Sequence, residues 1–236
     1  MSLSLERKQL LAEAHRARNA GRHRRAIALY KRLLREEPRN VEVALRAAPL
    51  LARRGDGFEA WQLYRDAART LARARRYDEC VTVYREACHY VPHEYDAWRL
   101  RAELELRLGR EQMAFETLLD GRMQFRDVRS RGQAIALLTR ARALEPWDPE
   151  VVLDLARLYA RTDQSDSALE LLAALAHRCE PATAQRVRSL QWRITLAPRF
   201  AWLWLRSLLG TEPERADPPP LEPRAEPAEG HGSSTY

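Results

Sequence analysis

The chain has 236 residues, 45% hydrophobic and 31% charged, which suits one ordinary domain or one solenoid with a real core under a heavily charged surface. Only nine glycines are present and Ala/Leu/Arg/Glu runs dominate, so the composition argues for an all-helical chain. The formal charge is +7, unevenly spread: from Thr211 onward six acids face two bases, net −4, which leaves a body of about +11.

The start, Met1 to Lys8, reaches charge at once and lacks the apolar stretch of a signal peptide. Leu10, Leu11, Ala14 and Ala17 share one face of a helix predicted over 5–20, which Gly21 ends; its partner is predicted over 23–37. Asn40 is placed to cap a helix over 41–54. That helix contains Pro49, whose missing N–H costs about 3 kcal/mol and predicts a bend near Leu45–Pro49. A further helix follows Gly55-Asp-Gly57 over 58–74, and another begins at Arg75-Arg76 and closes at Pro92.

Residues 98–108 alternate apolar and charged side chains, which alone suggests a strand. Leu, Glu, Arg and Ala are strong helix formers, and the stretch aligns with 41–54, so a helix is expected. Asp148-Pro149-Glu150 reads as an N-cap, a first-turn proline and a first-turn acid. It opens a helix over 149–162, followed by helices over 165–179 and 182–196.

Residues 199–210 are apolar on nearly every face. They are expected to tuck against the preceding helices, with a dimer contact (self-association through 199–210) or a membrane-surface helix as alternatives. No apolar run is long enough to span a bilayer. Residues 211–236 hold six prolines and mixed charge and are expected to be disordered.

One pattern recurs four times: a polar turn, a small residue, a bulky residue four later, and a closing proline eight or nine residues after that. The copies run from Gly21 through Ala26 and Tyr30 to Pro38, from Arg75 through Cys80 and Tyr84 to Pro92, from Arg129 through Ala134 and Leu138 to Pro146, and from Asp163 through Ala168 and Leu172 to Pro181. Residues four apart are neighbours on a helix, so the small one admits a neighbouring helix and the bulky one fills the space beside it. The first three copies are spaced by 54 residues, and 41–94 aligns without a gap on 95–148, with Gly55 on Gly109, Ala60 on Ala114, Tyr64 on Leu118 and Ala87 on Ala141. Three helices per unit is an odd number, so successive units are expected to enter an alternating stack inverted.

This pattern resembles the second helix of the tetratricopeptide repeat, whose ordinary period is about 34 residues. The resemblance covers about 7–181 and implies a right-handed α-solenoid of antiparallel helix pairs, about twelve helices long. The expected organisation is a solenoid over 1–210 built from a repeat at 7–40, units 41–94 and 95–148, a repeat at 149–181 and capping helices over 182–210, then the tail 211–236. It also implies a non-enzymatic scaffold or adaptor that binds a partner peptide or helix in a concave groove lined by first helices. The family's groove positions fall on Lys8, Leu11, His15, Arg18 and Asn19, on Leu45, Pro49 and Arg53, and on Leu153, Arg157 and Arg161, giving a basic groove for an acidic or partly apolar peptide. The alternative is a nucleic-acid-binding solenoid using the arginine-rich surface.

No Gly-rich phosphate loop, Gly-x-Ser-x-Gly or His-Glu-x-x-His occurs, so neither catalysis nor a cofactor is expected. Cys88 and His89 are adjacent on a helix and point apart, which argues against a metal site with His93. Cys80, Cys88 and Cys179 read as buried free thiols of a cytoplasmic protein: eight residues of helix separate the first two by about 12 Å, too far for a disulfide.

Overall fold

The computed structural model describes residues 2–195 and Leu205. Among these are eleven α-helices, one short 3-10 turn and no strand: α1 (Ser2–Asn19), α2 (His23–Glu36), α3 (Val41–Arg53), α4 (Gly57–Arg73), α5 (Tyr77–Tyr90), α6 (Tyr95–Arg107), α7 (Glu111–Arg122), the 3-10 turn Val128–Ser130, α8 (Arg131–Leu144), α9 (Pro149–Ala160), α10 (Ser165–Ala176) and α11 (Pro181–Thr195). The expectations for 199–210, Leu205 apart, and for 211–236 lie outside the described residues.

The 54-residue spacing runs further than the aligned units. Helices begin at 23, 77 and 131, at 41, 95 and 149, and at 57, 111 and 165. The turns repeat with them. Gly55, Gly109 and Asp163 all have left-handed backbone, at φ of 94°, 73° and 57°. In each case the next residue donates its N–H five residues back, from Asp56 to Leu51, Arg110 to Glu105 and Gln164 to Tyr159. This closes the orphan carbonyls at the end of the helix. Gly21 and Arg75, also 54 apart, do the same. Arg75 and Asp163 hold this conformation despite a Cβ, which ordinarily disfavours it by about 1 kcal/mol or more. At 129 the pattern gives way to the 3-10 turn.

Both expected caps form: the Asn40 side chain accepts from Val43 N at 3.1 Å and that of Asp148 from Val151 N at 2.8 Å. Pro49 does not end α3, which runs on to Arg53. Residues 98–107 of the alternating stretch are helical in α6, and the pattern has a physical reason. Glu105 is fully buried and held by Arg101 Nε at 2.9 Å and Thr117 Oγ1 at 2.7 Å, so a charged residue occupies a core position.

Every helix packs against its chain neighbours, as short connections require. The small positions Ala26, Cys80, Ala134 and Ala168, with their bulky partners Tyr30, Tyr84, Leu138 and Leu172, are all buried. Each large apolar side chain buried this way contributes about 1.5–3 kcal/mol. One core runs from Ala14 to Leu158 and a second from Val152 to Leu190. α9 divides them, giving Val151, Leu155 and Leu158 to the first and Val152, Leu153 and Ala156 to the second.

The repeat exchanges volume between facing helices. A Cβ built on Gly121 would lie 2.9–3.0 Å from the Cβ, Cγ and Cδ2 of Trp98. The equivalent residues one period earlier are Ala67 and Ala44, and one period later Leu175 and Val152, all buried. Trp98 therefore fits because Gly121 gives way. Its ring is fixed by Nε1 donating to Pro92 O at 2.8 Å.

Candidate partner-binding face

Contacts between alternate helices sort the stack into two layers. Arg46 on α3 meets the His15 ring on α1, Arg53 on α3 meets Tyr90 on α5, Arg122 on α7 pairs with Asp154 on α9, and Arg186 on α11 with Glu150 on α9. Arg110, just before α7, pairs with Asp78 on α5. These ties join odd-numbered helices. Lys31 with Glu59 and Arg140 with Glu103 join even-numbered ones. Beyond chain neighbours, the backbones of α3 and α5, and of α9 and α11, also approach one another.

The eleven residues expected in the groove all fall on α1, α3 and α9 or at their ends, which is the odd layer. Their exposure divides them. Lys8, Asn19, Arg53 and Arg161 are exposed, and Leu11, His15, Arg18, Leu45, Pro49 and Arg157 are half-buried. Leu153 is fully buried in the second core, so it supports the wall and cannot line a groove. Its position on the α9 face turned to α10 and α11 is the reason.

On α1, Lys8, Leu11, His15 and Arg18 follow a spacing of three to four residues, as do Glu42, Arg46, Pro49 and Arg53 on α3, so each set marks one helix face. The two faces meet where Arg46 Nη1 contacts the His15 imidazole while Nη2 donates to Glu42 Oε1 at 2.5 Å. Burial, with Arg46 and Arg18 beside it, holds the His15 pKa below its ordinary value. Tyr30 lies under this junction, its ring centroid 6.2 Å from that of His15. Its buried hydroxyl has no hydrogen-bond partner among the described residues. Further along, the Arg53 guanidinium lies over the Tyr90 ring, 5.5 Å from its centroid. The strip between these two faces, the α1–α3 furrow, shares Arg53 with a cavity of about 620 Å³ where α2 begins and α3 ends, lined by Leu50 and by Arg22, Arg24, Arg25, Arg53 and Arg54.

Sequence reasoning passed over Arg46, Tyr90, Arg22, Arg24, Arg25 and Arg54. Arg46 was within reach, since it stands one turn before Pro49 and two before Arg53 on the same face. Tyr90 carried no signal, because its meeting with Arg53 depends on how α3 and α5 stack.

All three cysteines are free thiols. Cys80 and Cys88 are buried as expected, whereas Cys179 is only half-buried because it follows the end of α10 at Ala176. Burial pushes the Cys88 pKa up to about 12 and raises that of Cys80. No helix among the described residues is long and apolar enough to cross a membrane.

The sequence matches family models described as tetratricopeptide repeat over residues 11–72, 64–121 and 129–189. The first two overlap within α4, which closes one match and opens the next. No curated protein matches the chain. Among solved structures, it is similar to a tetratricopeptide repeat protein from Parabacteroides merdae (16% identity, covering 86% of this chain and 91% of that one, TM-score 0.28). BtubC from P. vanneervenii is 16% identical over 97% of this chain and 99% of its own, with a TM-score of 0.39. PilF of Pseudomonas aeruginosa is 14% identical over 90% and 96%, with a TM-score of 0.28. Likeness at these scores carries no argument about function. With the matches spanning α1 to α11, the chain belongs to the tetratricopeptide repeat family.

Proposed function

We propose that the chain is a non-enzymatic scaffold that takes an acidic, partly apolar peptide segment of a partner protein along the odd-layer face of α1 and α3. Its family supports a role in protein–protein interaction in general. The charge distribution carries the finer reading. Residues 1–56 hold fourteen Lys and Arg against six Asp and Glu, net +8, whereas 57–195 hold twenty-two against twenty-one. The positive excess of the body is thus concentrated on α1 to α3. The close approach of odd helices fits a stack curved toward that layer. Free thiols fit a reducing, cytoplasmic setting.

A polyanion such as RNA would meet the same charge. Binding single strands also uses exposed aromatic rings for stacking. The one aromatic ring on α1 to α3 besides histidine is Tyr30, which is buried, and the neighbouring Tyr90 is half-buried with Arg53 over its ring. A peptide is therefore the favoured ligand.

The test is capture from a native lysate, with and without nuclease, by the full chain and by a variant carrying Arg18→Glu, Arg46→Glu and Arg53→Glu. A protein that survives nuclease and is lost with the variant is the expected result. Capture abolished by nuclease moves the function to nucleic acid, and capture unaffected by the variant moves the site off this face.

A further inference from the structure

We propose that the α1–α3 furrow has an occupant within the chain, the acidic segment 211–236, which docks there and competes with a partner. The inference rests on reading this face as an acceptor of acidic peptide. Five of the six acids of residues 1–56 are already engaged, Glu13 by Arg25, Glu36 by Arg32, Glu37 by Arg7, Glu42 by Arg46 and Asp56 by Arg54. Arg18, Arg22, Arg24 and Arg53 have no carboxylate partner among the described residues, and three of the four wall the cavity over Leu50. An apolar floor under a rim of guanidinium groups suits a ligand that mixes apolar and acidic residues.

Segment 211–236 has that chemistry. It carries Glu212, Glu214, Asp217, Glu222, Glu226 and Glu229 against Arg215 and Arg224, and Leu221 stands between Pro220 and Glu222. The nearly balanced stretch 57–195 offers it no comparable excess. The chain is long enough. From Thr195 to Glu222, 27 residues of sequence can span up to about 90 Å at roughly 3.3 Å each. Five steps of about 10 Å along the odd layer, from α11 to α1, cover about 50 Å. Tethering supplies an effective concentration in the millimolar range, so a contact with a Kd of about 1 mM is already substantially occupied. An untethered acidic peptide must displace the tail, and the face becomes selective for partners that bind more tightly than the chain's own segment.

Lys8 and Lys31 are the chain's two lysines, on α1 and α2. A carbodiimide joins a carboxylate to an amine only when they touch, so Lys8 reports the furrow. Lys31, paired with Glu59 at 2.7 Å, is an internal control for the fold. Full-length protein, mixed as equal parts of ordinary and 15N-labelled chains, would be cross-linked at low salt and digested for mass spectrometry. The expected product joins Lys8 to a tail carboxylate within one isotopic species. It is lost in Arg18→Glu/Arg22→Glu/Arg24→Glu protein and in wild type at 0.5 M salt, about a 4 Å screening length, while the Lys31–Glu59 link survives the substitutions. A Lys31–Glu59 link without a Lys8–tail link overturns the proposal, as do Lys8–tail links found only between light and heavy chains. Partner capture by this face that persists without the cross-link separates failure here from failure of the scaffold reading.

Discussion

Substituting Gly121 with alanine tests whether the three-helix period exchanges volume between facing helices. Alanine is ordinarily favoured over glycine inside a helix by about 1 kcal/mol. Here the added Cβ would stand 2.9 Å from Trp98 Cγ and 3.0 Å from its Cβ and Cδ2. The indole cannot swing aside without breaking its 2.8 Å bond to Pro92 O. Overpacking of this kind costs about 1–3 kcal/mol, so the net expectation is a loss of up to about 2 kcal/mol. Urea unfolding followed by far-UV circular dichroism reads the change. Trp98→Ala alone leaves a cavity and should cost about 3–5 kcal/mol. In that background Gly121→Ala meets no clash and should regain about 1 kcal/mol, reversing its sign. If Gly121→Ala stabilises wild type as much as it stabilises Trp98→Ala, the proposed exchange between Ala44/Ala67 and Trp98/Gly121 is wrong.

Two tyrosines should respond oppositely to loss of their hydroxyl. Tyr30→Phe removes a buried group without a partner and should stabilise by about 1 kcal/mol, whereas Tyr64→Phe loses the bond to Glu86 Oε1 at 3.2 Å and should destabilise by about 1 kcal/mol; equal effects in chemical denaturation would refute the assignment. A thiol reagent should modify Cys179 rapidly in the native state and reach Cys80 and Cys88 only on unfolding, and rapid loss of two or three thiols would contradict their burial. The pKa of His15 is lowered from 6.5, chiefly by burial and then by Arg46, so the folded state favours the neutral ring. Its stabilising contribution is complete above 6.5 and is lost as pH falls through the lowered value. His15→Gln should remove this part of the acid slope, and an unchanged slope in urea titrations between pH 7 and pH 5 would refute it.

The helices and their punctuation were legible from the chain because they depend on local chemistry. Asn40 and Asp148 cap, Gly55 and Gly109 turn, and the small-to-bulky spacing marks the faces that pack. Even the strand-like alternation of 98–108 yielded to the 54-residue alignment. The uneven charge is legible too, since counting along the chain places +8 on residues 1–56. Tertiary structure decided what those helices meet. Leu153 looked like a groove residue by position, but α9 serves two cores, and the face carrying Leu153 is covered by the second. Arg46 reaches His15, and Arg53 reaches Tyr90, across 31 and 37 residues of chain. A linear pattern specifies which side of a helix is apolar; which helix covers that side, and which arginines remain uncovered beside it, follows from the stacking of alternate helices into two layers.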